Sequence, residues 1–196
     1  MQLITLPLSP FGRKAHIVAL EKGLDPQVVA PPSAADPSVV AKNPLAKIPV
    51  LALATGEAIY DSPVICEYLD AIGTGPALIP SGDARWPVLR RTALADGIMD
   101  AAVASRQESI RPDGERSQAF IDQQRDLNLR AVAAAEADLA SFGSGARLDA
   151  IALAVALTYL DIRHPGIAWR DGAPKLAAWH EEMERRPSFV ATMPAG

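Results

Sequence analysis

The sequence predicts an α/β N-terminal domain followed by an all-α C-terminal domain built as a helical bundle. Short strand and helix patterns alternate over residues 1–75 in the order β-α-β-α-β-β-α. Strand patterns then vanish, and only helical patterns follow. A stretch rich in glycine and proline, residues 73–82, lies between the two parts and predicts an exposed linker. We therefore expect domains at residues 1–75 and 84–196.

The first part alternates apolar strand segments with helices that end at turn residues. The predicted strands cover residues 3–6, 27–30, 48–53 and 58–60, and the predicted helices cover 11–22, a short stretch ending at 42, and 61–73. Gly23 follows the first helical pattern, as a C-cap glycine does. This order of elements is too compact for a doubly wound nucleotide-binding domain.

The second part shows four helical patterns, at residues 84–109, 115–141, 149–163 and 173–186. Clusters containing glycine separate the first three patterns. The third pattern is apolar on nearly all sides, which predicts a buried helix at the centre of the bundle.

Composition and charge exclude several function classes. The 196 residues carry a formal net charge of −4 without a basic stripe, which argues against a nucleic acid partner. The longest apolar run, residues 150–157, is far shorter than the roughly 20 residues of a membrane span. Residues 2–6 are too short and too polar at their flanks to predict a signal peptide. Cys66 is the only cysteine, which favours a reducing compartment. We expect a soluble, cytoplasmic protein that does not contact membranes.

Two predicted helices begin with the same dipeptide, Ser9-Pro10 and Ser62-Pro63. Serine is a favoured N-cap and proline fits the first helical position, so both serines can be simple caps. A helix N-terminus also offers free N–H groups and a positive dipole to an anion. Two such starts in one small domain can therefore hold two anionic ends of a single ligand. Both interpretations stay open at this point.

Pro49 and Asp61 also allow two interpretations each. Pro49 begins a strand that otherwise looks central, where proline removes a ladder donor. Either this strand lies at an edge, or a cis Ile48-Pro49 bond turns the Ile48 backbone toward a ligand. Asp61 either strengthens the helix start beside it or binds an ammonium group of a ligand.

The remaining polar candidates have a structural and a functional interpretation. Asp96, Asp100 and Arg106 share one long helix and form either a solvated face or the lining of a cleft. Cys66 falls among apolar positions of its helix, which favours a buried, inert thiol. No metal is expected, because metal-ligand spacing is absent from the three histidines, His16, His164 and His180.

Taken in order, several segments resemble the cytosolic glutathione transferase family, in its serine-using bacterial subgroup. They are residues 8–14 (LSPFGRK), 43–51 (NPLAKIPVL), 60–69 (YDSPVICEYL), 95–100 (ADGIMD), 152–163 (ALAVALTYLDIR) and 186–189 (RPSF). Each segment alone is a weak signal, but together they cover nearly the whole chain in the proper order and spacing.

The resemblance implies a thioredoxin-like domain followed by an all-helical domain, usually assembled as a homodimer. It implies that glutathione is a substrate and that Ser9 donates its hydroxyl to the glutathione sulfur. The other implied contacts to glutathione come from Phe11, Lys47, the Ile48 backbone set by cis-Pro49, Asp61 and Ser62. A second substrate, a small apolar electrophile, would lie against the helix that carries Asp96, Asp100 and Arg106.

By this resemblance the protein is a transferase that activates the glutathione thiolate for attack on an electrophile, the chemistry of detoxification. A non-catalytic glutathione carrier, an adaptor protein and a glutathione-dependent isomerase are the alternatives. No cysteine stands at or beside Ser9, which argues against disulfide exchange. In the central helix, Arg147 and Ala150 replace the usual capping-box partners. We expect Asp149 in its first turn, where a negative charge favours the dipole.

Overall fold

A four-stranded sheet forms the centre of the N-terminal part of the protein. The computed structural model describes residues 1–143 and 145–194. The strands lie in the order β2-β1-β3-β4, with β1 parallel to β2 and the other two pairs antiparallel. Their bounds are β1 (Gln2–Ile4), β2 (Gln27–Val29), β3 (Val50–Ala52) and β4 (Ala58–Ile59). This sheet follows the predicted β-α-β-α-β-β-α order and is the thioredoxin-like sheet that the resemblance implied.

Helices cover both faces of this sheet, because successive side chains of a strand point to opposite faces. The helices are α1 (Pro10–Glu21), α2 (Pro37–Val40) and α3 (Ser62–Ile72). Leu3 and Leu51 belong to the larger apolar core, together with α1 and α3. Val39 of α2 packs with Ile4 and Val50 in a second, smaller core.

An all-helical part follows, as the loss of strand patterns predicted. After a 3₁₀ turn its helices are α4 (Arg85–Ser109), α5 (Gln118–Ala137), α6 (Leu139–Phe142), α7 (Leu148–Arg163), α8 (Trp169–Gly172), α9 (Pro174–Glu184) and α10 (Pro187–Ala191). The short helices α8 and α10 hold too few apolar repeats to be detected in the sequence. Helix α7 is the predicted central helix, since all residues from Leu148 to Thr158 are buried. In the described parts of the chain, no helix is long and apolar enough to cross a membrane.

Charged groups, rather than a capping box, hold the start of α7. The Asp149 carboxylate lies in the first turn, as expected, and is completely buried. It accepts hydrogen bonds from Arg91 Nε at 2.7 Å, from Arg147 Nη2 at 2.9 Å and from the Ala150 N–H at 3.1 Å. Two guanidinium groups therefore neutralise this carboxylate, and the helix start is satisfied within the protein.

Residues 73–82 are mostly exposed, as their glycine and proline content predicted, but two of them anchor the segment to the fold. Leu78 and Ile79 are buried, and their N–H groups both donate to the Asp70 carboxylate at 2.9 Å. The Leu78 carbonyl accepts from the Leu148 N–H at 3.0 Å. Two apolar residues and one carboxylate anchor a segment that otherwise consists mainly of small, exposed residues. This segment therefore ties α3 to the start of α7.

Ion pairs connect α1 to the helical part. Lys14 Nζ of α1 is fully buried and lies 2.6 Å from Asp96 Oδ1 of α4. Arg186, just before α10, donates to the Glu21 carboxylate at 2.9 Å. These contacts fix the orientation of α1, and with it the position of Ser9 at its start.

Candidate functional site

The start of α1 keeps a hydroxyl proton and a backbone donor available. Ser9 is the N-cap, and its Oγ accepts from the Gly12 N–H at 3.2 Å. That bond uses a lone pair of the oxygen, so the hydroxyl hydrogen can still be donated to another atom. The Phe11 N–H has no hydrogen-bond partner within the described residues. Ser9 can therefore cap the helix and donate to a ligand at the same time, and the two sequence interpretations are compatible.

The turn before β3 presents an unpaired peptide group. The Ile48-Pro49 bond is cis, as one of the two interpretations predicted. The edge-strand alternative is wrong, because β3 lies between β1 and β4. Neither the N–H nor the C=O of Ile48 bonds to any group of residues 1–143 or 145–194.

Asn43 holds this turn in place. Its side-chain amide donates to the Lys47 carbonyl at 2.9 Å, and its side-chain oxygen accepts from the Leu45 N–H at 3.0 Å. Asn43 is only 1% exposed, whereas the Lys47 side chain is exposed beside the turn. Ala46 completes the turn with a φ of 52°, in the left-handed region. Asn43 thus fixes the backbone that ends in Ile48.

The start of α3 differs from that of α1, although both carry the Ser-Pro dipeptide. Asp61 rather than Ser62 is the N-cap, and its side chain makes no capping hydrogen bond. Ser62, which is 3% exposed, is the first helical residue, and Pro63 is the second. The N–H groups of Ser62 and Val64 lack a partner in the described ranges, and the Tyr60-Asp61 peptide bond is cis. The interpretation of Ser62 as a simple cap is therefore wrong, and two donors remain for an anion.

A carboxylate of α4 reaches the same region. Burial raises the pKa of Asp100 above its usual value, and the negative charges of Asp96 and Asp61 raise it further. The positive charges of Lys47 and Lys14 lower it. Asp100 is therefore close enough to sense both the turn before β3 and the start of α3. Asp96, in contrast, is engaged in the ion pair with Lys14.

A narrow cleft lies beside Ser9, between the start of α1 and the side of α7. Its polar lining residues are Ser9, Arg13, Thr158 and Tyr159, and its apolar ones are Leu8, Pro10, Val155, Ile162 and Pro194. Burial raises the pKa of the Tyr159 phenol, and the positive charges of Arg163 and Arg106 lower it. Arg106 of α4 therefore lies near the Tyr159 wall of this cleft, apart from Asp100.

Sequence reasoning missed Asn43 and Tyr159. Asparagine before proline is typical of turns, so Asn43 had a signal, whereas Tyr159 stands in a helix whose apolar pattern hides any polar role. Cys66 is buried, as predicted, and burial raises its pKa to about 12, so it stays a thiol. No group of three His, Cys, Asp or Glu side chains in residues 1–143 and 145–194 is arranged to hold a metal ion.

The chain is similar along its whole length to proteins of one family. Residues 8–72 match the family description "Glutathione S-transferase, N-terminal domain", and residues 118–182 match "Glutathione S-transferase, C-terminal domain". An uncharacterized GST-like protein of Escherichia coli K12, YibF, is 36% identical and aligns over 99% of this chain and 98% of its own length.

Solved structures show the same similarity. A glutathione transferase family member from Pseudomonas fluorescens Pf-5, with bound glutathione, has a TM-score of 0.96 and 42% identity, and the match covers 100% of this chain and 99% of that one. A structure from the same organism with bound S-(propanoic acid)-glutathione has a TM-score of 0.90 and 44% identity, with 100% of both chains covered. The fold, both matched domains and a relative aligned from end to end lead to one conclusion: this chain belongs to the glutathione S-transferase family.

Proposed function

We propose that this protein is a serine-type glutathione transferase of the bacterial subgroup, which activates the glutathione thiolate for attack on a small electrophile. The proposal rests on one observation, a row of unused hydrogen-bonding groups along one end of the α/β part. These groups are the Ser9 hydroxyl hydrogen, the Phe11 N–H, the Ile48 peptide group and the N–H groups of Ser62 and Val64. Glutathione is an extended tripeptide with a thiol, an ammonium and two carboxylates, so it needs such a row of separate contacts.

Each part of glutathione has a matching group in this row. The Ile48 peptide group pairs with the cysteinyl backbone, as a strand would. The free donors of Ser62 and Val64 take the γ-glutamyl carboxylate at the start of α3, and Asp61 takes the ammonium group beside it. The exposed Lys47 side chain meets the other carboxylate. Relatives solved with bound glutathione support this assignment.

Thiolate formation at Ser9 needs no general base. A free thiol has a pKa of about 8.5, and lowering it by two units takes about 2.7 kcal/mol of preferential stabilisation of the anion. A hydrogen bond to a charged group is worth about 1.5–3 kcal/mol. The dipole of α1 adds about 0.3–1 kcal/mol. The Ser9 hydroxyl and the helix start are therefore sufficient.

The cleft beside Ser9 is the natural site for the second substrate. Its apolar lining suits a small electrophile with an apolar body. None of the three α4 candidates lines this cleft. We assign Arg106 to the surroundings of Tyr159, Asp100 to the glutathione end near Lys47 and Asp61, and Asp96 to the ion pair that joins the domains. A neighbour holds a glutathione whose name places a propanoic acid group on the sulfur, which is the kind of adduct that such an attack yields.

Ser9→Ala tests the proposal. The variant should raise the pKa of the bound glutathione thiol and lower kcat about 10–100-fold, because it removes an interaction of roughly 1.5–3 kcal/mol. The measurements are the thiolate absorbance of bound glutathione against pH, and turnover with a panel of alkyl halides, activated chloroarenes and unsaturated carbonyl compounds.

Ser117→Ala is the matched control, since Ser117 caps α5 by accepting from the Phe120 N–H at 3.2 Å, the distance seen at Ser9. Both variants should lose about 1 kcal/mol of stability as caps are lost. Only the Ser9 variant should change the thiol titration. Identical titration curves for wild type and Ser9→Ala would show that Ser9 is a cap alone. Tight glutathione binding without turnover on any electrophile would indicate a carrier.

We also propose a cytoplasmic homodimer with domains at residues 1–75 and 84–196. Val64 at the start of α3 is 52% exposed and Trp86 at the start of α4 is 66% exposed, and contact with a second copy would cover such large apolar side chains. Sedimentation should show a dimer at micromolar concentration, and a monomer alone would contradict this part of the proposal.

A further inference from the structure

Arg106 and Arg163 stand in the last turns of α4 and α7, whose ends are joined by a hydrogen bond. Arg163 follows Tyr159 by four residues on α7, so both lie on one face of that helix. The next residue, His164, donates from its Nε2 to the Ala102 carbonyl of α4 at 2.8 Å. Arg106 stands one turn after Ala102, so the same contact brings it to this end of α7.

The electrostatics agree with this placement. Burial lowers the pKa of His164, and the positive charges of Arg106 and Arg163 lower it further, against the hydrogen bond to Ala102, which raises it. The same two charges act on the Tyr159 phenol. One histidine and one tyrosine therefore sense both guanidinium groups.

These two arginines carry no counter-charge. Within residues 1–143 and 145–194, no carboxylate forms an ion pair with either guanidinium group. Arg163 Nε is buried and without a hydrogen-bond partner. Three other arginines of the helical part do lie between 2.6 and 2.9 Å from a carboxylate, namely Arg91, Arg170 and Arg186. Two neighbouring cations and an orphaned buried donor are unfavourable by themselves, and one bound anion would relieve both.

The cleft connects this cluster to the thiol. Tyr159, Ile162 and Arg13 line the same cleft as Ser9, and Arg163 follows Tyr159 by one turn of α7 without itself lining the cleft. An anion held beside Tyr159 would therefore lie close to a sulfur held at Ser9. We propose that the second substrate carries a carboxylate, which Arg106 and Arg163 bind, while the apolar lining takes the rest of the electrophile. This inference rests on the proposed function and narrows its substrate class from apolar electrophiles to electrophiles that bear one carboxylate.

An α,β-unsaturated acid shows how the cluster would assist the reaction. The thiolate sulfur forms a bond to the β-carbon, and the π electron pair moves onto the α-carbon and the carboxylate. A proton from water then bonds to the α-carbon, which completes the adduct without an oxidant or reductant. Negative charge grows on the carboxylate as the bond forms, so two fixed guanidinium groups stabilise the transition state more than the ground state.

A purely structural role for these arginines is the competing explanation. Arg163 lies in the last turn of α7 and Arg106 in the last turn of α4, where cations interact favourably with the helix dipole. Arg185 serves as the matched control, because it is the exposed C-cap residue of α9 and its change to glutamine removes the same charge from a helix end.

The test measures binding of two adducts that differ only in charge. Isothermal titration calorimetry is run with S-(2-carboxyethyl)glutathione and with S-(2-carbamoylethyl)glutathione, on wild type, Arg106→Gln, Arg163→Gln and Arg185→Gln. Wild type and Arg185→Gln should bind the carboxylate adduct about tenfold more tightly than the amide, the preference expected of one charged hydrogen bond. Arg106→Gln and Arg163→Gln should bind the two adducts with nearly equal affinity.

Equal affinity of wild type for the two adducts would overturn the inference. An unchanged preference in both arginine variants, with a lower melting temperature, would overturn it in favour of the helix-dipole role. Unmodified glutathione is titrated in parallel and should bind all four proteins equally. If wild type fails to bind glutathione itself, the proposed function fails and this inference fails with it. If Arg163→Gln does not fold, Arg106→Gln alone carries the comparison.

Discussion

The starts of α3 and α7 differ in whether their backbone N–H groups have hydrogen-bond partners within the protein. At α7 the Ala150 N–H donates to the buried Asp149 carboxylate, which two guanidinium groups neutralise. At α3 the Asp61 side chain makes no capping bond, and the N–H groups of Ser62 and Val64 have no partner in the part of the chain that the structure describes.

The difference separates a helix start that is bonded within the fold from one that keeps donors available, which we propose bind glutathione. An unpaired buried donor costs about 1–3 kcal/mol, so free donors persist only where the rest of the fold compensates for them. The start of α1 lies between these two cases. The Ser9 Oγ caps the helix by accepting from the Gly12 N–H, and the Ser9 hydroxyl hydrogen can still be donated to a ligand. Changes at α7 should therefore affect folding, and changes at α3 should affect binding.

The largest effect is expected at α7. Asp149→Asn leaves the buried Arg91 guanidinium without its counter-charge, so the free energy of unfolding should fall by about 3–5 kcal/mol. Urea unfolding followed by circular dichroism measures this loss. Glutathione affinity of the folded protein should stay unchanged, because Asp149 lies outside the proposed site.

Glu67→Gln is the control for this prediction. Glu67 lies 2.7 Å from Arg85, the same distance as in the Asp149–Arg91 pair, but its side chain is 47% exposed. An exposed ion pair is worth about 0–1 kcal/mol, so this variant should lose far less stability. Equal losses in the two variants would show that burial of the pair does not hold the start of α7.

At α3 the expected loss is in affinity. If Asp61 binds the ammonium group, Asp61→Asn should weaken glutathione binding about tenfold or more, the equivalent of roughly 1.5–3 kcal/mol. Stability should change by less than about 0.5 kcal/mol, since the Asp61 side chain makes no capping bond. Calorimetry against glutathione and against an analogue lacking the γ-glutamyl amino group measures the contribution of the ammonium group. A variant that still prefers glutathione over the analogue would exclude Asp61 as its partner.

The start of α1 depends on close packing against β1. A Cβ atom on Gly12 would lie 2.6 Å from the Thr5 Cβ, so Gly12→Ala should displace the helix and cost about 1–3 kcal/mol. Catalysis should fall as well, because Ser9 moves with the helix. Adding Thr5→Gly removes the obstructing side chain and should restore part of both losses, a coupling that a double-mutant cycle measures. Strictly additive effects would mean that this contact does not position Ser9.

The order of elements and the helix starts at the candidate site could be predicted from the sequence because local signals encode them. Ser-Pro dipeptides mark helix starts, and Ile48-Pro49 marks a turn into a central strand. Which residue caps α3 was not predictable, since Asp61 and Ser62 are both good N-caps and tertiary contacts decide between them.

Contacts between distant segments were also beyond reach. No sequence motif near Asp149 predicts its ion pair with Arg91, which lies 58 residues away. In place of the missing capping box, the structure has a buried ion pair at α7. Ala150 is fully buried, so a carboxylate at that position would destabilise the helix.

The smallest effect is expected in the middle of α4, and it has the opposite sign. Gly97 lies inside a helix, as Gly12 does. A Cβ atom added at Gly97 would meet nothing within 4 Å, whereas one added at Gly12 would collide with Thr5. Gly97→Ala should therefore raise the free energy of unfolding by about 0.5–1 kcal/mol, the difference in helix propensity, and leave glutathione affinity unchanged. Thermal unfolding at two protein concentrations checks it. A loss of stability that grows with protein concentration would show instead that a second copy of the chain packs on this face of α4.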